Sequence, residues 1–310
     1  MNEHELIARL LPTLPSNAAV VLGAGDDCAV LDVGMPDRWL LFKTDAVVGG
    51  VHFTPDTPPE KVGHKALARA LSDVAAMAGE PISALVTIGL PRGFEVGFVE
   101  GVYRGLTALA ARYGVAIAGG ETTTSPAGVF LSIALVGQVG RRRCIRRAGA
   151  RAGDAIFVSG ELGGSLAGRH LEFEPRLIEA RWLAEHFDLH AMIDLSDGLA
   201  SDLRHVLQAS GVGAELLADA IPISRAARQQ ARAESSAKSP LLAALTDGED
   251  FELLFTVAGR DAVRLLDAWK ARFPELKLTC IGKITEQRGL TLRDKRGCQP
   301  LMAHGYTHFA

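Results

Sequence analysis

At 310 residues the chain exceeds the usual size of a single domain, and its 48% hydrophobic and 22% charged residues exclude disordered and fibrous classes. Aromatics make up only 6%, so the core is built mainly from Ala, Val, Leu and Ile. A net charge of −3 and a pI near 6.3 argue against nucleic acid or an anionic membrane as the main partner.

The elements are predicted in chain order from hydrophobic periodicity. Residues 1–11 set Leu6, Ile7, Leu10 and Leu11 among Glu3, Glu5 and Arg9, a short amphipathic helix and not a signal peptide. β-rich apolar runs follow at 39–48, 82–90, 115–118 and 129–139, with helical periodicity at 60–78 and 95–113. After the basic stretch 141–147, the Gly/Ala-rich segment 149–153 marks a boundary, which divides the chain into domains 1–147 and 148–310. The second half predicts strands at 155–158, 192–195, 251–257 and 278–284, helices at 199–209 and 261–273, and an Ala-rich helix within 225–239 that frays into a loop. Both halves mix strands and helices, so the fold class is α+β, with two domains. No run of about twenty apolar residues could cross a bilayer as a helix.

Cys28, Cys144, Cys280 and Cys298 are widely spaced with no CxxC pair, which reads as reduced, buried thiols in a reducing, cytoplasmic compartment.

The chemistry is written in acids that recur at the ends of apolar runs. They are Asp26 and Asp27 in GAGDDCAVL, Asp45 in LLFKTDAVVGG, Glu121 in IAGGETTT, and Asp194 and Asp197 in MIDLSDGL, with Asp73 at the edge of a helical core face. Any one alone reads equally as a cap or a turn. Together they repel unless a cation joins them, and hard ions such as Mg²⁺ prefer carboxylate and phosphate oxygens, so convergence would make a multi-metal phosphate site. Glycines adjoin these acids, and SGELGGSLAG suits a strand-to-helix turn whose exposed amides face phosphate. GAGDDC lacks the third glycine of a dinucleotide fingerprint, and Gly282-Lys283 lacks the upstream glycine of a P-loop. A nucleotide must be held by another architecture.

The series GAGDDCAVL, TDAVVGGVHF, ALSDVAAMAGEP, AGGETTTSP, RAGARAGD, DLSDGLASDL, DGEDFEL and GYTHF resembles the thiamine-monophosphate kinase family in order and spacing over nearly the whole chain. That family sits in a wider ATP-binding superfamily with aminoimidazole-ribonucleotide synthetase and selenophosphate synthetase. The resemblance implies ATP-dependent phosphorylation of thiamine monophosphate to thiamine diphosphate, an N-terminal ATP- and metal-binding domain with a mixed sheet able to pair in a homodimer, and a C-terminal α+β domain completing the substrate site.

By similarity, Asp27, Thr44, Asp45, Asp73, Glu121, Asp194 and Asp197 ligate or orient several Mg²⁺ ions, with Asp45 and Asp73 bridging and carrying the catalysis. Asp26 shapes the turn. Tyr103, Gly120, Glu121, Arg147 and Ser196 match nucleotide-contacting positions. His52, Glu249 and Tyr306 match those that hold thiamine phosphate, which offers a phosphate, an amine and a cationic ring to such side chains. For Tyr306 the alternative is an aromatic tucked against a core.

Two departures stand out: Glu121 replaces the more usual Asp or Asn, and Asp247 replaces a glycine of GGED. Lys43 is expected to contribute only a backbone carbonyl. The basic run 141–147 lacks interleaved aromatics and reads as solvated charge, with Arg147 singled out for ATP phosphate. His186 and His190, four apart on an expected helix, lack the Glu of HExxH and do not indicate zinc; His4, His64, His170, His205, His304 and His308 read as surface or packing residues. Two other functional readings keep the fold: a related synthetase with a different phosphoryl acceptor, and a non-catalytic nucleotide-binding protein.

Overall fold

The computed structural model describes residues 3–233 and 238–306; His308 and the side chain of His4 lie outside the described residues. The chain folds as two compact units, an N-terminal one of Asn17–Cys144 with Gly168–Arg181, and a C-terminal one of Met1–Ser16 with Ile145–Ala167 and Trp182–Ala310. Each has its own sheet. Among the described residues, no helix is long and apolar enough to cross a membrane.

In chain order, helix α1 (Glu3–Leu10) precedes strands β1 (Val20–Leu22), β2 (Ala29–Leu31) and β3 (Arg38–Val48). Helix α2 (Pro59–Ala76), strand β4 (Glu80–Leu90), helix α3 (Val96–Tyr113), and strands β5 (Ala116–Thr124) and β6 (Phe130–Gly140) complete the N-terminal elements. The sheet order is β1-β2-β3-β6-β4-β5, antiparallel except for the β4–β5 pair. Alternation directs Leu41, Val47, Val86, Ile88, Leu131, Ile133 and Leu135 to a buried face. Helix α2 lies on that face and contributes buried Leu67, Leu71 and Val74. It crosses α3 where a Cβ on Gly63 would come within 1.8 Å of Val102 O and one on Gly105 within 1.8 Å of Glu60 O, so only glycine admits this approach. The other face exposes Phe42, Val48 and Leu85.

The remaining elements are β7 (Asp154–Ser159), α4 (Leu177–His186), β8 (Leu189–Asp194), α5 (Leu199–Ser210), β9 (Gly213–Leu217), α6 (Arg225–Ala233), α7 (Pro240–Thr246), β10 (Leu253–Ala258), α8 (Ala262–Arg272), β11 (Leu278–Thr285), β12 (Gly289–Asp294) and β13 (Gly297–Pro300); all belong to the C-terminal unit except the Leu177–Arg181 half of α4. The mixed sheet of that unit runs β13-β12-β9-β11-β7-β10-β8. Strand β7 is buried at every position. One face packs Ile156, Val158, Ile193 and Leu254 with Leu199, Leu203 and Val206 of α5 and Leu245 of α7. On the other, Phe157 stacks on Phe255 with ring centroids 5.5 Å apart. Helices α4 and α8 meet through Trp182 and Trp269.

This is the α+β class that the sequence predicts, with the mixed N-terminal sheet that the resemblance implies; the C-terminal sheet is mixed as well, and the long periodic elements fall within a few residues of their expected bounds. Several expectations are corrected. Strand β5 continues to Thr124 instead of stopping near Ala118, because parallel pairing with β4 carries it through a polar, exposed edge. Glu121 therefore sits inside a strand, as Asp45 does in β3. Strands β1, β2, β9, β12 and β13 and helices α4 and α7 are elements that the periodicity does not reveal. His186 ends α4 whereas His190 lies in β8, so they share no helix; His190 Nδ1 bonds Asp154 at 2.8 Å. The Ala-rich helix spans Arg225–Ala233, and the expected fraying at 234–237 falls outside the described residues. The four thiols are free as expected, but only Cys28 is buried; Cys144 and Cys280 are half-buried and Cys298 is exposed.

Candidate active site

In the N-terminal unit, strand parity sorts the functional side chains. Lys43 and Asp45 share the buried parity of Leu41 and Val47 and meet helix α2. Lys43 Nζ donates to Asp73 Oδ1 at 2.7 Å, and Arg69 Nη2 lies 3.1 Å from Asp45 Oδ1. The expectation that Lys43 offers only its carbonyl is therefore wrong. Burial works against the charge on this ammonium, but the nearby carboxylates of Asp73 and Asp45 outweigh it and hold the pKa above the ordinary lysine range. Carboxylate oxygens of buried Asp27 and Asp73 lie within 4.8 Å of one another. Asp26 Oδ1 accepts from the Asp27 amide at 3.0 Å, a turn-forming bond.

Thr44 and Glu121 have the opposite parity. The register Ala46–Ser132–Thr87–Glu121 runs across four strands on the open face, where Thr44 Oγ1 lies 3.3 Å from Ser132 Oγ. The structure thus does not bring the Thr44 hydroxyl or the Glu121 carboxylate to the face that carries Asp45 and Asp73. Gly120 stands in the row of Asp45, and a Cβ there would meet Val86 O at 1.8 Å. Tyr103 is half-buried on α3. His52 closes the turn after β3, where its Nδ1 accepts from the Val48 amide at 3.1 Å, which leaves the ring proton on Nε2 as a donor.

In the C-terminal unit, backbone pairing assembles the remaining residues. The Glu249 amide donates to Ser196 O at 2.7 Å, and the Tyr306 amide donates to Asp197 O at 2.9 Å. Glu249 holds φ at +63°, and its carbonyl accepts from Ser165 Oγ at 2.6 Å. Tyr306 is 48% exposed, which contradicts the alternative of an aromatic tucked into a core. Asp202, absent from the expected set, accepts from the Asp197 and Gly198 amides at 3.1 and 3.0 Å. Burial, then the charges of Asp197 and Asp194, push its carboxyl well above the ordinary range, against the Asp197 amide bond and Arg147. Asp197, Asp202 and His205 offer ligand atoms within 4.8 Å of one another. Arg147 is half-buried.

Residues 25–139 match the family described as AIR synthase related protein, N-terminal domain, and residues 151–295 match its C-terminal domain. The thiamine-monophosphate kinase of Rhodopirellula baltica is 41% identical over 298 residues, covering 94% of this chain and 92% of that protein. The chain belongs to the thiamine-monophosphate kinase family. The relative from Aquifex aeolicus is 33% identical and covers 100% of this chain and 98% of its own length. The solved structure described as AaThiL complexed with AMPPCP and TMP superposes with a TM-score of 0.84 at 32% identity, covering 99% of this chain and 97% of that one.

For this family member, the glycine turn needs correction. The amides expected to be exposed are taken by carboxylates of the same unit: Gly163 N donates to Asp250 Oδ2 at 2.9 Å, and Gly164 N to Asp247 Oδ2 at 3.0 Å. Asp250 is fully buried and needs those donors, and a single 3₁₀ turn, Ser165–Ala167, follows in place of a helix. Asp247 also pairs with Lys238 at 2.8 Å. In the basic run, Arg141 is not simply solvated; it bonds Asp32 at 2.8 Å. Two missed cations had a signal: Lys65 and Arg69 stand eight and four residues before Asp73 on α2, along one stripe of the helix.

Proposed function

We propose that this protein transfers the γ-phosphoryl group of ATP directly to the phosphate of thiamine monophosphate, forming thiamine diphosphate and ADP, at a site that holds several Mg²⁺ ions. The observation that carries this reading is full-length similarity to the solved complex with AMPPCP and TMP.

Asp27, Asp45 and Asp73 of the N-terminal unit, and Asp194 and Asp197 of the C-terminal unit, are assigned to metal. Their donor set is entirely carboxylate, and the approach of Asp27 to Asp73 suits a hard divalent ion. Thr44 and Glu121 are assigned to metal on the family resemblance alone, since parity turns their side chains to the sheet face opposite Asp45. Bound Mg²⁺ would offset charge on the transferring phosphoryl group. Asp45 and Asp73 fix where that charge is placed.

Gly120, Glu121, Arg147, Ser196 and Tyr103 are assigned to the nucleotide on the family resemblance, and the Arg147 guanidinium matches phosphate oxygens. His52 presents an Nε2 proton to the acceptor phosphate, Glu249 takes the aminopyrimidine amine, and Tyr306 offers its half-exposed ring to the thiazolium. With a second pKa of about 6, a phosphate monoester is already largely a dianion near neutral pH and needs no general base. Positioning and electrostatics then carry the rate.

We also read the protein as a cytoplasmic homodimer joined through the open face of the N-terminal sheet. Exposure of 46% at Phe42, 38% at Val48 and 49% at Leu85 supports the dimer, and four free thiols suit a reducing compartment. The deciding experiment incubates purified protein with ATP, Mg²⁺ and thiamine monophosphate and identifies the products chromatographically. Thiamine diphosphate and ADP in equal amounts are expected. ATP binding without thiamine diphosphate would favour a non-catalytic nucleotide-binding protein, and transfer to another acceptor a related synthetase.

A further inference from the structure

Helix α2 buries a lysine completely. Lys65 is 0% exposed, yet its ammonium serves two acceptors, His52 O at 2.7 Å and His170 Nδ1 at 2.7 Å. Burying an ammonium among Val62, Ala66 and Leu67 is costly unless its donors are taken up, and an apolar side chain would fill the same space without that cost. One of the groups this charge holds is the main chain of His52.

His52 is held at two points. Its ring Nδ1 accepts from the Val48 amide, and its carbonyl accepts from Lys65. The first bond selects the tautomer with the proton on Nε2; the second sets the position of the backbone from which the ring projects. Lys65 has three donors on a flexible stem, so its direction has to be imposed by a further acceptor. His170 supplies it.

His170 lies in a 3₁₀ turn, Arg169–Leu171, within Gly168–Arg181, a segment that follows β7 in sequence but belongs to the N-terminal unit. Inside that unit it is tied down along its length. Lys61 pairs with Glu172 at 3.0 Å, and His64 Nε2 bonds Phe173 O at 2.8 Å. Arg112 and the Tyr113 hydroxyl both bond Glu174, and Arg181 lies 3.6 Å from Glu80. A strap anchored this often presents the His170 acceptor at a fixed point.

We infer that Lys65 and His170 are positioning residues for His52, so that a strap from the second half of the sequence sets the geometry with which His52 receives the phosphate of thiamine monophosphate. This rests on the reading of His52 as a ligand of that phosphate. Neither residue is itself a catalytic group.

The test uses the full-length chain with Lys65→Met, His170→Leu and His170→Asn, the last of which keeps an acceptor oxygen near the place of Nδ1. Kinetics with both substrates are measured beside thermal melts and calorimetric titration with thiamine monophosphate. His170→Leu and Lys65→Met should raise the KM and Kd for thiamine monophosphate about 10-fold while the KM for ATP stays within about 2-fold. His170→Asn should recover most of the loss. Unchanged thiamine-monophosphate binding in folded His170→Leu, equal losses for both substrates, or an Asn variant no better than Leu would overturn the inference. Should Lys65→Met fail to fold, the two His170 variants decide alone. A wild-type chain that binds thiamine monophosphate without phosphorylating it would sink the proposed reaction, and the calorimetry would still decide the role of Lys65; one that does not bind it overturns both.

Discussion

Lys43 Nζ on strand β3 sits 2.7 Å from Asp73 Oδ1 on helix α2, while Arg69 on the same helix returns to Asp45 on the same strand at 3.1 Å. Two carboxylates assigned to metal thus each carry a cation supplied by the protein itself. On the proposed assignment, a divalent ion drawing on the same oxygens would compete with these cations, and Lys43 and Arg69 would tune how tightly it is held.

Lys43→Met should accordingly lower stability in chelator and enlarge the response to Mg²⁺. Loss of one partner of a partly buried pair costs about 2–3 kcal/mol, less than for a fully buried pair because Lys43 keeps some solvent. That corresponds to a fall in Tm of roughly 5 °C or more, read by melting in chelator and again in excess Mg²⁺. The raised pKa of Lys43 means its stabilisation is complete below the ordinary lysine value and fades only as pH climbs through the raised one, so the wild-type pair should be flat across neutral pH. A Mg²⁺-induced shift no larger than that of wild type would sink this account.

Asp45→Asn and Asp73→Asn should fold but turn over slowly. Each keeps the size of the side chain and removes the charge that places metal, so kcat at saturating Mg²⁺ should drop about 10²-fold or more. Steady-state assays beside circular dichroism check it, and near-normal kcat would contradict the assignment.

Glu215 gives a pH-dependent prediction well apart from these acids in sequence. The Arg293 hydrogen bond at 2.7 Å, against partial desolvation and with help from Cys298 and the Arg293 and Lys283 charges, holds its carboxyl down to about 2. A depressed folded pKa stabilises above the unfolded value of about 4.3, and the benefit is lost as pH falls through the folded one. The Tm gap between wild type and Glu215→Gln should therefore be open at pH 6, narrow below about pH 4.3 and close near 2. A gap independent of pH would show that the charge of Glu215 contributes nothing.

Much of the architecture was legible because its cause is local. Strand β3, helices α2 and α3 and strand β11 carry their period over eight or more residues, long enough to separate 3.6 from 2. Strands β1 and β2 have three residues each, too few to show a period, and the polar end of β5 is a strand only because β4 lies beside it. The acids were legible as chemical types. Strand parity could also have been read: Thr44 and Asp45 are neighbours and so point to opposite faces.

What the amino-acid sequence determined by itself was the inventory: which segments repeat with a helical or strand period, and which carboxylates, glycines and aromatics the chain carries in the order of its family. What only the tertiary structure decided was who meets whom. Lys43 with Asp73, Lys65 with His170, and Gly163 with Asp250 are separated by 30, 105 and 87 residues. No local pattern spans such distances. These partners are selected when burial strips water from a charged or polar group and leaves it to the donor or acceptor that packing has brought within reach.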